Sequence, residues 1–145
     1  MASLSTIRTT IKNKLTTLLN NKARVYAYYE SNPQQYPVVI FDIASQQNEF
    51  ITNLENMSAI TFKLILLIDQ ADANASSGLT EQEATDKLDE LVDLIVSSLE
   101  TDFSLGGVVD YCTPTVGNRE TIAIANGIGK AQYINLVVRQ SVFVA

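Results

Sequence analysis

The chain has 145 residues, no histidine, no tryptophan and a formal net charge of −6. Without histidine, a Ser-His-Asp triad, a Cys-His pair and a histidine-containing zinc site are excluded. The acidic balance argues against simple nucleic-acid binding, because affinity for phosphates depends on clustered Lys and Arg.

The first predicted element is an amphipathic helix over residues 4–19. Its apolar residues recur at helical spacing on one face, namely Leu4, Ile7, Ile11, Leu15, Leu18 and Leu19. The opposite face carries no charge and consists of Ser5, Thr6, Thr9, Thr10, Asn13, Thr16 and Thr17. Threonine is a mediocre helix former, so a helix that faces only water more often carries Glu, Lys, Gln or Ala there. Two interpretations stay open: an unoptimised surface helix, or a face covered by a neighbouring subunit.

Three strands are predicted to follow this helix. Residues 24–29 are rich in Val and Tyr, and residues 38–43 follow a turn and Pro37. The polar residues 44–58 form either a long loop or the extended arm of a hairpin. Residues 59–69 alternate apolar side chains on one face and add Ile65 and Leu67 on the other. This pattern predicts a central strand that is covered on both sides.

A second amphipathic helix is predicted to begin after Thr80, which with Glu83 forms a capping box. Its buried stripe is Ala84, Leu88, Leu91, Val92, Ile95 and Leu99. On the opposite side, Asp86, Asp89, Glu90, Asp93 and Glu100 form an acidic ridge. Since Arg8, Lys12 and Lys14 make the first helix basic, we expect the two helices to attract each other, within one copy or between copies.

The remaining residues predict a strand over 108–113 and a hairpin of 121–125 with 131–144 around Asn126 and Gly127. The lone cysteine, Cys112, is expected to be a small buried hydrophobe in a strand rather than a nucleophile. The expected fold is a single α+β domain over residues 1–145. It has a mainly antiparallel or mixed β-sheet with two principal helices packed on it, in the order α-β-β-β-α-β-β-β.

The chain offers little catalytic chemistry. A carboxylate pair such as Asp89 and Asp93 would need one pKa raised by burial, but the ridge is patterned as exposed. The segment with Asp69, Asp72 and Asn74 lacks the spacing of a calcium loop, so a solvated turn is favoured. Gly127-Ile128-Gly129 leads into a strand, not into the helix that a phosphate-binding loop requires. We therefore expect no enzyme activity, no cofactor and no metal.

Cellular location is predicted from composition. Hydrophobic residues make up 46% of the chain and charged residues 18%, as in ordinary globular proteins. The longest aliphatic run, residues 64–68, is too short to span a bilayer, so no membrane partner is expected. The first residues do not resemble a signal peptide. These features predict synthesis in a cytoplasm.

Several segments together resemble one known family. They are the opening helix, the strand Pro37-Val38-Val39-Ile40-Phe41 before a polar loop, the strand over 60–68, the capped helix from Thr80-Glu81-Gln82-Glu83, and the closing Gly-Lys-Ala-Gln-Tyr-Ile-Asn-Leu-Val-Val of 129–138. In this order and length the chain resembles the tail-terminator, or tail-completion, proteins of tailed bacteriophages. The likeness covers nearly the whole chain and is one of architecture, without a diagnostic motif.

The resemblance implies a structural virion protein located in the tail or neck and made in the host cytoplasm. Such a protein forms a hexameric ring that caps the tail tube protein, ends tail assembly and joins a head-completion (neck) protein. DNA would pass through its channel without specific binding. Subunit contacts are then expected at Thr6, Thr9, Thr10, Asn13 and Thr17, and at Asp86, Asp89, Glu90 and Asp93. Loops reaching partner rings are expected at Gln46, Gln47, Asn48, Glu49 and Asn53, and at Arg119, Asn126 and Lys130.

Two alternatives from other classes remain. One is a small α+β ligand-binding or regulatory module without catalysis, with its pocket between helices and sheet. The other is an enzyme based on the carboxylates of Asp89 and Asp93. Observation of closed rings would distinguish the structural virion protein from both alternatives.

Overall fold

Two helices and five strands make up the part of the chain that the computed structural model describes, residues 3–20, 22–28, 37–50, 55–70, 81–124 and 127–143. In chain order they are α1 Leu4–Leu19, β1 Arg24–Tyr26, β2 Val38–Phe50, β3 Glu55–Gln70, α2 Glu81–Thr101, β4 Tyr111–Ile124 and β5 Gly127–Phe143. The predicted α+β fold with two helices and one sheet is confirmed.

The strands form one mixed sheet in the order β1-β2-β3-β5-β4. The short β1 runs parallel to β2, and the other three pairings are antiparallel. β3 pairs with β5 from Glu55 opposite Phe143 to Gln70 opposite Ile128. The prediction that β3 is central is therefore correct. The predicted cover on both sides is wrong, because Lys63 on its second face is exposed and Ile65 and Leu67 there are only half-buried.

α1 begins at Ser3, whose hydroxyl accepts from the Thr6 N–H at 3.1 Å and so caps the helix. Its apolar stripe is buried as predicted at Ile7, Ile11, Leu15 and Leu19, whereas Leu4 at the helix start is 39% exposed. Arg8 and Lys14 flank this stripe, and Thr6, Thr9, Asn13 and Thr17 lie exposed on the far side. The helix is therefore amphipathic in the predicted sense.

α2 buries all six residues of its predicted stripe, and Asp86, Asp89, Glu90 and Asp93 lie exposed opposite them. The capping Thr80 lies outside the described residues. α2 connects β3 to β4 and packs on β3, β4 and β5, while α1 packs on β1 and on α2. Both helices thus cover the same face of the sheet, with α1 toward β1 and α2 toward β4.

The core lies between this helix layer and the sheet. Its strand residues alternate with period two, for example Phe62, Leu64 and Leu66 on β3 and Ile134 and Leu136 on β5, all fully buried. Phe41 and Phe62 pack edge to face with ring centroids 6.1 Å apart. Burying each such side chain contributes roughly 1.5–3 kcal/mol, so this cluster supplies most of the stabilisation.

Two strands are longer than predicted because each contains a β-bulge. In β2 the register shifts between Ile43 and Ser45, and the strand continues to Phe50. Residues 44–58 therefore lie in a hairpin arm, the second of the two predicted alternatives, with residues 51–54 outside the described part. In β4 the register shifts between Val116 and Arg119, so that residues 111–113 and 121–124 of the two strands predicted at 108–113 and 121–125 belong to one strand. Residues 108–110 form a turn instead, and residue 125 lies outside the described part.

The strands extend beyond the helices. A strand of sixteen residues such as β3 is roughly 50 Å long, whereas the sixteen residues of α1 span roughly 24 Å. The arm of β2 and β3 projects at one end of the sheet, and the β4–β5 hairpin projects at the other. The molecule therefore presents two different ends along its strand direction.

Candidate functional site

Basic residues in α1 and just after it form ion pairs within the same chain. Lys14 Nζ lies 3.0 Å from Asp102 Oδ2, just beyond α2, and Lys22 Nζ lies 2.9 Å from Glu90 Oε1. Hydrogen bonds from Gly106 N–H and then from Lys14 lower the pKa of Asp102, and the bond from Lys22 lowers that of Glu90. The predicted attraction between a basic and an acidic helix therefore operates inside one copy.

Arg8 holds the other flank of α1 to the sheet. Its guanidinium donates to the Ala27 carbonyl and lies 2.8 Å from Asp42 Oδ1. Partial burial opposes ionisation of Asp42, but hydrogen bonds from Ile43 N–H and Arg8 outweigh it, so the pKa of this carboxyl is lowered. Arg8 and Lys14 thus fix the helix from both sides, and neither charge reaches its exposed face.

The exposed face of α1 consists of Thr6, Thr9, Asn13, Thr16 and Thr17, beside the half-buried Thr10. Three of its hydroxyls have local partners: Thr10 donates to Thr6 O and Thr16 to Lys12 O, both at 2.7 Å, and Thr6 bonds to Ser3 Oγ at 2.9 Å. A hydroxyl already bonded to its own helix loses less when water is removed. These hydroxyl bonds, which the sequence pattern alone did not show, lower the free-energy cost of removing water from this uncharged face.

The acidic ridge of α2 is partly neutralised. Asp89 Oδ1 lies 2.7 Å from Arg119 Nη1, and Glu90 pairs with Lys22. Asp86 and Asp93 are exposed. All four predicted contact residues thus lie at the surface, and two of them, Asp89 and Glu90, form ion pairs within the subunit.

The bulge of β4 is held by a polar side chain that the sequence analysis missed. Gln132 is 2% exposed, and its Nε2 donates to Gly117 O, Asn118 O and Tyr133 O at 3.0–3.2 Å. Its Oε1 accepts from Arg119 Nε at 2.7 Å. Its position in the sequence could have indicated this role. Gln132 lies on the same face of the strand as buried Ile134, where the alternating residues are otherwise apolar. Through Arg119 this network continues to Asp89 on α2.

A polar depression of about 520 Å³ lies on the sheet face opposite the helices, beside this bulge. It is lined by Lys63 of β3, Tyr133 and Asn135 of β5, and Gly117, Asn118 and Glu120 of β4. Tyr133 donates to Glu120 Oε1 at 2.6 Å, which raises the pKa of the phenol. Lys63 Nζ lies 4.6 Å from the centroid of the same ring. These lining residues could not be recognised as one site from the sequence, because the bulge that brings them together was not predicted.

A smaller apolar depression of about 160 Å³ adjoins the polar one, and Lys63 contributes to both. Its apolar lining includes Ile40 and Ile65, together with Ile43, which also packs against the core on the helix face. Ile40 is 3% exposed but does not belong to the core cluster on the helix face. The face of the sheet opposite the helices thus combines an apolar part near β2 with a polar part near β4.

The turn after α2 fixes the start of β4. Leu105, Gly106 and Gly107 all have positive φ, and the Leu105 side chain is nevertheless 2% exposed. Asp102 Oδ1 accepts from Gly106 N–H at 3.0 Å, and the Cys112 N–H donates to Phe103 O at 2.7 Å. Cys112 is buried in β4 as predicted, and burial raises the pKa of its thiol to about 11.

The predicted loop residues lie at opposite ends of the strands. Gln46, Gln47, Asn48 and Glu49 belong to the β2 arm, and Lys130 lies near the β4–β5 hairpin. Arg119 is near that second end too, but its guanidinium is bound to Asp89 and Gln132. Asn53 and Asn126 lie outside the described residues.

Among the described residues, no three His, Cys, Asp or Glu side chains are grouped so that they could hold a metal ion. Of the earlier cation-site residues, Asp69 lies in β3, while Asp72 and Asn74 are outside this part. Neither described helix combines the length and the apolar character needed to cross a membrane. Comparison with protein-family models gives no match, and comparison with curated proteins gives none either.

Proposed function

We propose that this protein is a structural ring subunit of a tailed-phage neck, a tail terminator that works through contacts between copies and makes or breaks no bond. The observation that carries the proposal is the exposed threonine face of α1, whose flanking cations Arg8 and Lys14 are bound inside the subunit. A surface without charges, on which the Thr6 and Thr16 hydroxyls already have partners in the same chain, is suited to burial against another protein.

The helix layer supports head-to-tail contact. A ring that closes by rotation needs two different surfaces on each subunit. The threonine face lies toward the β1 side of the sheet, whereas Asp86 and Asp93 lie on α2, toward the β4 side. We propose that these two surfaces contact the two neighbours in a hexamer.

The two ends of the sheet support contact with two different partners. The β2–β3 arm with Gln46 to Glu49 lies toward one end, and the hairpin with Lys130 lies toward the other, roughly 25–35 Å away along the strands. We propose that one end docks on the tail tube protein and the other on the head-completion protein. The net charge of −6 would keep DNA from adhering as it passes.

The alternative of a ligand-binding module placed its pocket between the helices and the sheet. In the described part, that space holds the continuous apolar core from Ile11 through Phe62 to Leu88. The two depressions described above lie on the opposite face of the sheet. The ring hypothesis therefore has the better support from the helix layer.

A double substitution tests the proposed subunit contact. Thr9→Lys with Asn13→Lys places two cations on the threonine face and should lower the assembled fraction at least tenfold while the isolated subunit stays folded. The matched control, Thr113→Lys with Thr115→Lys, adds the same charge to exposed positions of β4 and should leave assembly unchanged. Native mass spectrometry and circular dichroism measure the two properties. Unchanged assembly of the α1 variant would remove this face from the interface.

A further inference from the structure

The polar depression on the sheet has the construction of a small-molecule site. Its volume of about 520 Å³ is within the range of roughly 300–1,000 Å³ that ligand sites occupy. Its lining residues come from three adjacent strands: β3 pairs with β5 without a break in register, and β4 pairs with β5 on both sides of the bulge at Gly117 and Asn118. Groups carried on paired strands keep their separation, so they can hold a ligand without first becoming ordered.

The bulge of β4 shapes this depression. Gly117 and Asn118 lie together opposite Tyr133, and the extra residue brings Arg119 to the helix face and Glu120 to the opposite face. A Cβ atom on Gly117 would lie 3.2 Å from Tyr133 O, so a side chain here would require the Tyr133 carbonyl to move by a few tenths of an ångström. The buried Gln132 then fixes both bulge carbonyls from behind. Four hydrogen bonds on one face of the sheet thus maintain the position of polar groups on the other.

The charges of the depression indicate which ligands suit it. Lys63 and Glu120 contribute one charge of each sign, and Tyr133 contacts both. An anion placed here would meet the Glu120 carboxylate, and a cation would meet the Lys63 ammonium. The like-charge repulsion that Glu120 would exert on an anion, or Lys63 on a cation, is absent for a neutral ligand.

The hydrogen-bonding groups narrow the class further. The amides of Asn118 and Asn135 each offer both donors and acceptors, the Glu120 carboxylate has spare acceptor sites, and the Lys63 ammonium has spare donors. Adjacent hydroxyl groups, each a donor and an acceptor, match such a mixed lining. We propose that the depression bounded by Lys63, Asn118, Glu120, Tyr133 and Asn135 binds a neutral saccharide. This site does not rest on the proposed ring function.

Titration of the full-length 15N-labelled protein with glucose, galactose and N-acetylglucosamine tests the proposal. At least one sugar should give saturable shifts at the amides of Gly117, Asn118, Tyr133 and Asn135, with a dissociation constant in the millimolar range expected of an open site. The double variant Asn118→Ala with Asn135→Ala should weaken binding more than about tenfold, because two hydrogen-bonding amides are lost. Glu120→Gln keeps the shape and removes only charge, so it should change the affinity by less than about threefold.

Matched controls keep the test decisive. Gln82→Ala removes an exposed amide from α2 and should leave binding unchanged. The spectrum of each variant shows directly whether it remains folded. The proposal is overturned if none of the three sugars gives saturable shifts at about 100 mM, far above the expected constant. It is equally overturned if the shifts lie elsewhere, or if inorganic phosphate binds the same amides more tightly, which would identify an anion site.

Discussion

Arg119 donates through Nε to Oε1 of Gln132 at 2.7 Å, and this bond links the surface of α2 to the bulge of β4. On one side Arg119 pairs with Asp89, and on the other Gln132 holds two bulge carbonyls. Because Gln132 is 2% exposed, water cannot readily replace it. The network therefore stabilises the fold and also the groups on the opposite face of the sheet.

Replacing Gln132 with Ala should destabilise the protein by about 2 kcal/mol, because three carbonyl acceptors and the Arg119 donor each lose a partner. Urea unfolding followed by circular dichroism measures the change. Gln82→Ala, at an exposed position of α2, should cost less than about 0.5 kcal/mol. Equal stabilities for the two variants would show that the network contributes nothing.

Leu105 combines a left-handed backbone, with φ of 51°, and a buried side chain. Leu105→Ala should cost about 2–4 kcal/mol through lost burial. Leu105→Gly should cost no more than the alanine variant, because glycine relieves the positive φ. At Leu99, buried within α2, glycine should instead be about 1 kcal/mol worse than alanine. Thermal unfolding of the four variants checks this reversal, and the same order at both positions would contradict it.

Gly117→Ala should destabilise the protein by about 1 kcal/mol, since the new Cβ lies 3.2 Å from the Tyr133 carbonyl oxygen and the paired strands must shift. Thr115→Ala, an exposed position in the same strand, provides the reference. Chemical unfolding gives both values. If Gly117→Ala were as stable as the wild type, the bulge would tolerate a side chain.

Asp102 should make stability depend on acid pH. Its folded-state pKa is lowered from 3.8, so its contribution is present above that value and is lost as the pH falls through the folded-state pKa. Asp102→Asn should reduce stability at neutral pH by roughly 0.5–1 kcal/mol, since solvent screens the pair with Lys14. The difference between the two proteins should shrink toward pH 3. Unfolding curves at pH 7, 5 and 3 test this, and a constant difference would contradict it.

Periodicity predicted the elements that bury one clear face. The stripes of α1 and α2 and the alternation of β3 and β5 all point into the same core, because apolar burial dominates the free energy of these segments. The α+β fold class followed from these predicted helices and strands. The lengths of β2 and β4 did not, because a bulge shifts the alternation by one residue and interrupts the pattern that identifies a strand.

The candidate sites were predicted less completely for a related reason. The uncharged face of α1 is visible in the sequence, but the binding of Arg8 and Lys14 inside the subunit depends on Asp42 and Asp102, which are distant along the chain. The polar depression depends on the Gly117 bulge bringing β4 side chains beside Tyr133 and Lys63. Sequence spacing carries no information on such contacts until the register of the strands is known.

The proposed function depends most on the assembly of subunits into a closed ring. Size-exclusion chromatography coupled to light scattering, followed by negative-stain imaging with purified tail tubes, measures it directly. We predict closed six-subunit rings, free in solution or seated at the ends of tubes. A monomer or dimer that stays so at all concentrations and does not bind tube ends would contradict the proposed function.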